Sequence, residues 1–445
     1  MNTDCKHQYS FNFYQKKDVV VNFEGGQITS DAGLIPLKEF DERREITEEV
    51  NECITDSRQD NLIKHKQLEM IRQRVYQIAA GYEDGNDCDL LRNDPAIKLA
   101  VGKESFSDEL ASQPTISRLE NRITQQDIEK LNEENINRYI NSRAEVPEEV
   151  ILDIDSTDDE THGSQQLTFF NGFYGQYMYH PILIYEAERG HLLSVKLRRG
   201  TAHTAEGAEE MVKKVIDRIK VAFPETKIIV RGDSGFGNPQ MYNTCEDIEY
   251  ALGIKSNAVL KRKAQKVLVR AISEYEKSQK PVRLYNSFIY KAKSWKKSRR
   301  IRFKAECNSE GTNLRFCVSN KKGRTKDIFK FYNARGECEN RIKELKNGFA
   351  GDRLSCSKFL ANAFRLTLHS LSYSLVNLFR EKILCNTELA TAQIETLRYK
   401  LFKIGAQIKE TCRKIWIKMS GGWPYRNLYG QIHKAVACNG PPAKC

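Results

Sequence analysis

The apolar residues of this 445-residue chain change their period about a third of the way along. Up to about residue 147 the spacing is helical. In "HKQLEMIRQRVYQIAAGY", Leu68, Ile71, Val75, Ile78 and Ala79 recur at three and four residues, as one face of an α-helix requires. A second helical stretch, "QPTISRLENRITQQDIEKLNEENINRYINSR", has Pro114 near its start. Only the beginning, "VVVNFEGGQITSDAG", reads as extended, and the polar "NSRAEVPEE" reads as a linker.

After Pro147 strand patterns take over. "VILDID" is one strand, and "QYMYHPILIYEAERGHLLSVKLRRG" reads as two strands turning at Glu188–Gly190. An amphipathic helix, "AEGAEEMVKKVIDRIKVAF", precedes an apolar strand, "TKIIVRGD". A helix over "NPQMYNTCEDIEYALG" and a short strand over "GIKSN" follow. This order predicts a mixed α/β sheet whose first three strands are antiparallel and whose later ones are parallel. "RLYNSFIYKAKSWKKSRRIRFKAECNSEGTNLRFCVSN" alternates in period two with a turn near Glu310–Gly311, which predicts a β insertion. The α/β pattern resumes with "FYNARGECENRIKELKNGF", and two further helices are expected over "SKFLANAFRLTLHSLSYSLVNLFREKI" and "ATAQIETLRYKLFKIGAQI". A Gly/Pro-rich tail from about Gly421 is expected to be poorly ordered at its end.

Composition narrows the class. No apolar run approaches the ~18 residues of a membrane span, and the N-terminal segment lacks the apolar centre of a secretory signal. A soluble cytoplasmic protein without a membrane partner is expected. Its twelve cysteines form no CxxC pair, which fits reduced thiols. His433, Cys438 and Cys445 match no common zinc spacing. The net charge is +12, and residues 255–304, with 17 Lys/Arg against 2 Glu, contribute +15 of it, so the remaining chain sums to −3. One basic segment therefore carries the imbalance and points to a polyanionic partner.

Two strands end in carboxylates. Asp153 and Asp155, two apart in "VILDID", face one side of their strand; Asp233 follows "KIIVRG" at the start of a Gly-rich turn. An ionised carboxylate ending an apolar strand costs desolvation unless it is paired or binds a metal. The ends of strands in α/β sheets are also where active sites gather. Two-metal phosphoryl chemistry needs about three such groups around ions roughly 4 Å apart. A third acid would come from "FYNARGECENRIKELKNGF". Wound as one helix at about 100° per residue, this stretch puts Tyr332, Arg335, Glu339 and Lys346 within about 60° of each other. Phe331, Ile342, Leu345 and Phe349 make a bordering core stripe. Glu337 and Glu344 fall on the far side and read as solvated. Glu339 is the aimed acid.

Tyr332, Arg335, Glu339 and Lys346 also match, at every fixed position, the Y-(2)-R-(3)-E-(6)-K signature of DDE-type transposases of bacterial insertion sequences. "LDIDSTDDETHG", "RGDSGF", "SWKKSRR", "RGECENRIKELKNGF" and "DRLSCSKFLANAFRLTLHSLSY" together resemble the insertion sequence thirteen-eighty family. The resemblance implies an α/β fold: a ribonuclease H-like mixed sheet core with a β-strand insertion, preceded by a mainly helical N-terminal domain and followed by C-terminal helices. The expected boundaries are 1–147 for a mainly helical DNA-binding region, 148–258 and 326–385 for the two parts of the core, 259–325 for the basic β insertion, and 386–445 for C-terminal helices that could dimerise.

Carried over by that resemblance, Asp155, Asp233 and Glu339 would hold two Mg²⁺ or Mn²⁺ ions, the family's D-x-T spelling favouring Asp155 over Asp153. Arg335 and Lys346 would contact phosphates, with Tyr332 alongside. In the insertion, Trp295 would stack on a base flipped from a DNA hairpin, and Lys296, Lys297, Arg299 and Arg300 would grip the duplex. The implied activity is cut-and-paste transposition at terminal inverted repeats through a hairpin, by a homodimer in a synaptic complex with double-stranded DNA. A nuclease without strand transfer, or a DNA-binding protein without catalysis, are the alternatives.

Overall fold

The structure, a computed structural model, describes residues 8–103 and 106–438. Cys445 of the weighed His–Cys–Cys set lies outside them. The chain forms two compact units, one of residues 1–48, 57–118 and 379–445, the other of 49–56 and 119–378. No helix among the described residues is long and apolar enough to cross a membrane.

The second unit is built on an eight-stranded mixed sheet. Its strands are β1 (Glu149–Ser156), β2 (Ile182–Glu186), β3 (Leu192–Lys196), β4 (Lys227–Gly232), β5 (Glu249–Gly253), β6 (Val282–Tyr290), β7 (Arg299–Asn308) and β8 (Gly311–Ser319). They lie in the order β6-β7-β8-β5-β4-β1-β2-β3. β1, β2 and β3 are antiparallel neighbours, whereas β1, β4 and β5 run parallel, as the element order predicts.

Side-chain parity decides what each face of the sheet does. On β1, Val150, Leu152 and Ile154 enter a core with Ile228 and Val230 of β4. Helix α1 (Gln125–Ser142) adds Ile136 and Tyr139, and α2 (Ala208–Ala222) adds Val212, Val215 and Ile219. Burying each such side chain contributes about 1.5–3 kcal/mol. The alternate residues, Asp153 and Asp155 on β1 and Arg231 on β4, must then point to the other face. Helices α5 (Thr325–Asn333) and α6 (Gly336–Lys343) follow β8 in the chain, and Phe329 of α5 packs on that second face against Ala251 and Cys317.

Several local expectations change. The basic stretch over 259–325 opens not with a strand but with helix α4, Ala258–Ser278, capped by Asn257, whose side chain accepts from the Leu260 amide at 2.9 Å. Leu260, Ala264 and Ala271 give it a buried stripe at helical spacing. The strands after it do not form a separate insertion, because β8 pairs with β5 and so continues the main sheet. The helix expected over 238–253 is the shorter α3 (Pro239–Thr244); "EYALG" is strand β5, buried on both sides. "QYMYHPILIYEAERGHLLSVKLRRG" yields three strands rather than two, the first (Gln176–Tyr179) pairing in a small sheet with Asp159–Glu160 and Phe169–Asn171.

The first unit joins both ends of the chain. Helices Ile35–Arg44 and Gln67–Ala80 pack there, and Phe40 meets Phe379 edge to face at 5.5 Å. Of the helix expected over "ATAQIETLRYKLFKIGAQI", only the middle is helical, Ile394–Leu397 running on into a π turn over Arg398–Phe402; the chain then enters a hairpin, Ala406–Thr411 with Lys414–Met419, that pairs with Ile28–Thr29. "KIWIKM" sets two β-branched residues and a tryptophan between lysines, a strand-forming composition. From Arg426 to Cys438 the tail is helical.

Candidate active site

Asp153 and Asp155 share a face but not a role. Arg231 lies directly across from Asp153 in the parallel β1–β4 register and donates two hydrogen bonds to it, at 2.6 and 2.7 Å. Arg231 also donates to the Phe331 carbonyl at 2.9 Å and lies 4.9 Å from that ring. Asp153 is therefore spent in a buried bidentate pair that ties β1, β4 and the end of α5 together. One pleat further on, Asp155 has, among the described residues, only its neighbour's amide, Ser156 N–H at 2.8 Å, and Arg335 Nη1 at 3.9 Å. Burial and then the charge of Asp233 push the Asp155 carboxyl up to about 7, against the pull of Arg335.

Asp233 follows β4 directly. The register that pairs Gly232 with Ile154 brings it level with Asp155 when extended by one residue. Its Oδ1 accepts from Gly235 N–H at 2.8 Å, fixing the turn. Gly253, where β5 ends, permits the closeness of the next layer: a β-carbon there would stand 2.6 Å from Tyr332 Oη and 2.7 Å from Ser234 N.

The charged stretch is not one helix. α5 ends at Asn333 and α6 starts at Gly336, joined by three-residue hydrogen bonds such as Arg335 N–H to Tyr332 O (3.3 Å) and Cys338 N–H to Arg335 O (2.9 Å). At the other end, Glu344–Gly348 widens into a π turn closed by Phe349 N–H to Glu344 O. A tightened joint and a widened turn rotate the chain in opposite senses. Arg335 reaches Glu339 at 3.3 Å and stands 5.6 Å from the Tyr332 ring. Lys346 binds the loop just past Asp155, with Nζ 2.5 Å from Asp158 O and 3.3 Å from Thr157 Oγ1. Ile342, Leu345 and Phe349 are core, but Phe331 is only half-buried. Glu337 is exposed and accepts from Asn340; Glu344 is half-buried, not solvated as its angle on an ideal helix implied.

Asp233, Tyr332, Arg335 and Glu339 line one cavity of about 490 Å³, which Lys255 and Arg315 also border. Asp155 lies against its edge through Arg335. Neither Lys255 nor Arg315 was singled out from the sequence, because neither belongs to a motif. Gln176, which donates to Asp158 at 2.8 Å, and His180, whose Nε2 lies 3.1 Å from Ser156 Oγ, were also missed.

Hard carboxylate oxygens are the donors that Mg²⁺ or Mn²⁺ prefers. The mutual repulsion of Asp155 and Asp233 is what a divalent cation between them would relieve. Glu339, with about half its side chain exposed, is turned to Arg335, and among the described residues no three His, Cys, Asp or Glu groups stand close enough to hold an ion as they are. Asp155 and Asp233 offer the donor chemistry such an ion prefers, and Glu339, which lines the same cavity as Asp233, is turned to Arg335.

Of the five residues expected to grip DNA, two are buried. Trp295 is 6% exposed, wedged between Tyr242 and Tyr290 with ring centroids 5.2 and 5.4 Å away, so its ring offers no free face to a base. Arg299 is buried as well, bound to Glu246 at 2.9 Å and to Tyr250 Oη at 2.7 Å. Lys297 binds the same Glu246 at 2.5 Å. Lys296 and Arg300 are exposed, Arg300 donating to Ser287 Oγ at 3.2 Å. These residues lie where β7 begins, the opposite end of the sheet from Asp155 and Asp233.

A mixed α/β sheet with paired strand-end aspartates and an Arg–Glu couple on the facing helix defines a candidate phosphoryl-transfer site. Residues 11–439 match the family described as Transposase DDE domain group 1, and the chain belongs to that family. It is a DDE transposase, a protein of DNA transposition and recombination. No curated protein matches it. Among solved structures it is similar to a piggyBac transposase determined by cryo-EM in a synaptic complex with hairpin DNA, at 11% identity and a TM-score of 0.44, over 94% of this chain and 83% of that one.

Proposed function

We propose that this transposase moves an insertion sequence of the thirteen-eighty type by cutting and pasting DNA. In this reading the mixed sheet is a ribonuclease H-like core, and Asp155, Asp233 and Glu339 are its catalytic acids. The observation that supports it best is one strand register and one helix joint gathering Asp155, Asp233, Arg335 and Glu339 at a single groove. Asp153 is not the first acid, because Arg231 already neutralises it.

Two Mg²⁺ or Mn²⁺ ions held by these three acids would supply charge neutralisation and an acidified water at the scissile phosphate. The chain's own residues do the rest. Arg335, released when Glu339 turns, is free to bind a non-bridging phosphate oxygen beside Asp155. Lys346 holds the Thr157–Asp158 loop and with it the position of Asp155. Tyr332 props Arg335 from below. Water opens a phosphodiester at the terminal inverted repeat and leaves a 3′-hydroxyl. That hydroxyl displaces the opposite strand's phosphodiester to give a hairpin, and after hairpin opening it attacks target DNA. A homodimer holds the two ends together, the mainly helical N-terminal region reads them, and exposed cations including Lys296 and Arg300 hold the backbone.

Incubation of the full chain with Mg²⁺ and labelled DNA from either flank of its reading frame tests this. Hairpin and joined products are expected. Nicks alone would indicate a nuclease, and retention without cleavage a binding protein.

A further inference from the structure

A second cavity, of about 660 Å³, opens at the end of the sheet where β5 and β7 begin and β8 stops, opposite the end that carries Asp155 and Asp233. Seven lysines and arginines line it against one carboxylate, Glu246. Four of these cations are spent in ion pairs. Glu246 takes both Lys297 and Arg299, Lys321 is held by Glu249 at 2.9 Å, and Arg324 by Asp327 at 2.9 Å. Arg300, Arg302 and Lys322 have no carboxylate partner among the described residues.

Arg302 is the informative one. It is 5% exposed, and its guanidinium donates only to two backbone carbonyls, Gly323 O at 2.9 Å and Lys321 O at 2.5 Å. Its Nε is buried and has no partner among the described residues. Burial, and then the charge of Arg300, hold its pKa below the usual arginine value. A buried cation without a counter-charge is costly, and the cost falls if an anion enters beside it. An independent feature points the same way: helix α5 starts at this cavity, with Thr325 in the lining, and no side chain caps its N-terminus. The first amides of the helix and its dipole thus add to the positive field.

We propose that this cavity is a second phosphate-binding site, which holds the backbone of duplex DNA away from the cleaved bond. The inference rests on the transposase reading and adds a contact point to it. α5 runs from this cavity to the catalytic groove, since Thr325 lines the first and Tyr332 and Asn333 the second. At about 1.5 Å per residue its nine residues span roughly 13 Å. A duplex lying along it advances about 3.4 Å per base pair, so the held phosphate is on the order of four base pairs from the scissile one. The loop that Arg302 clamps, Lys321–Gly323, carries Lys322 at the rim.

The test is binding of a fluorescent 30-base-pair duplex to the full chain, without divalent metal, across a salt series. Lys322→Gln and Arg300→Gln alter exposed side chains, so folding is retained and is checked by melting. Each is expected to weaken binding several-fold and to reduce the slope of log affinity against log salt by about 1. Lys213→Gln, exposed on α2, is expected to change neither. Duplex is expected to protect Lys322 from amine acylation, whereas inorganic phosphate at the same phosphate concentration protects it weakly. Unchanged slopes in both cavity variants, with Lys322 acylated equally with and without duplex, would overturn the second site while leaving the transposase reading in place. Equal protection by inorganic phosphate would overturn the duplex as its occupant. A wild-type chain that binds no duplex would overturn both.

Discussion

Arg231 and Asp153 face each other across two parallel strands, joined by hydrogen bonds of 2.6 and 2.7 Å, one pleat short of Asp155. Neutralising one aspartate makes its neighbour the available one. The two positions should therefore fail differently. Arg231→Met leaves Asp153 buried and unpaired and is expected to cost about 3–5 kcal/mol of stability. Asp155→Asn relieves a repulsion with Asp233 and is expected to keep or raise the melting temperature while abolishing DNA cleavage. Denaturant melts and a cleavage assay on the same preparations check both.

Gly253 has no room for a side chain beneath the Tyr332 hydroxyl. Gly253→Ala puts a methyl 2.6 Å from Tyr332 Oη and 2.7 Å from Ser234 N, and the second of these contacts is to backbone that cannot swing aside. A loss of about 1–3 kcal/mol is expected, as for overpacking elsewhere, together with reduced cleavage because Asp233 precedes Ser234. Unaltered melting and cleavage would show that the β5 end has more room than its geometry indicates.

Trp295 is a core residue in this structure. Trp295→Ala is expected to destabilise the fold by about 3–5 kcal/mol. Trp295→Phe, which keeps a ring between Tyr242 and Tyr290, is expected to retain most stability and full hairpin formation. If Trp295→Phe melts like wild type yet loses hairpin product, the ring acts on DNA after all.

Asp159 gives a pH signature. It is fully buried, with Oδ2 unpartnered, and burial raises its pKa well above that of an exposed aspartate despite Lys346 nearby. The folded chain therefore holds this proton more tightly than the unfolded chain, whose aspartate titrates near about 3.9. Stability from this group is present below that value and falls as pH rises towards the raised folded pKa. Asp159→Asn removes the titration. Its melting temperature should equal wild type near pH 4 and exceed it by several degrees at pH 8, at about 2–4 °C per kcal/mol for a unit of this size.

Much of the site was legible because it depends on parity and spacing. The two-residue step from Asp153 to Asp155, and from Arg231 to Asp233, puts all four on one face, and a sequence shows that directly. What it did not show was which aspartate Arg231 takes, since that depends on the register between β1 and β4. The ideal-helix count brought Arg335 and Glu339 together correctly, because α6 keeps them one turn apart. It misjudged Glu344 and Phe331, which lie in the π turn and ahead of the joint at Arg335, where 100° per residue does not hold. The basic segment was read as one β block because its charge masked the Leu260, Ala264, Ala271 stripe of α4. The family resemblance sets Trp295 against DNA, and the aromatic pair that buries it, Tyr242 and Tyr290, comes from two separate elements that no local pattern joins.

The central claim is that Glu339 is the third acid and that its neighbours on the same helix are not. Cleavage of labelled element-end DNA in Mg²⁺ by Glu339→Gln and Glu337→Gln measures it most directly, both being exposed positions where folding is unaffected. Glu337→Gln is expected to cut like wild type, while Glu339→Gln loses more than the roughly 10–100-fold typical of removing an outer-shell partner of a metal ligand. A Glu339→Gln protein that cuts at the wild-type rate would contradict it.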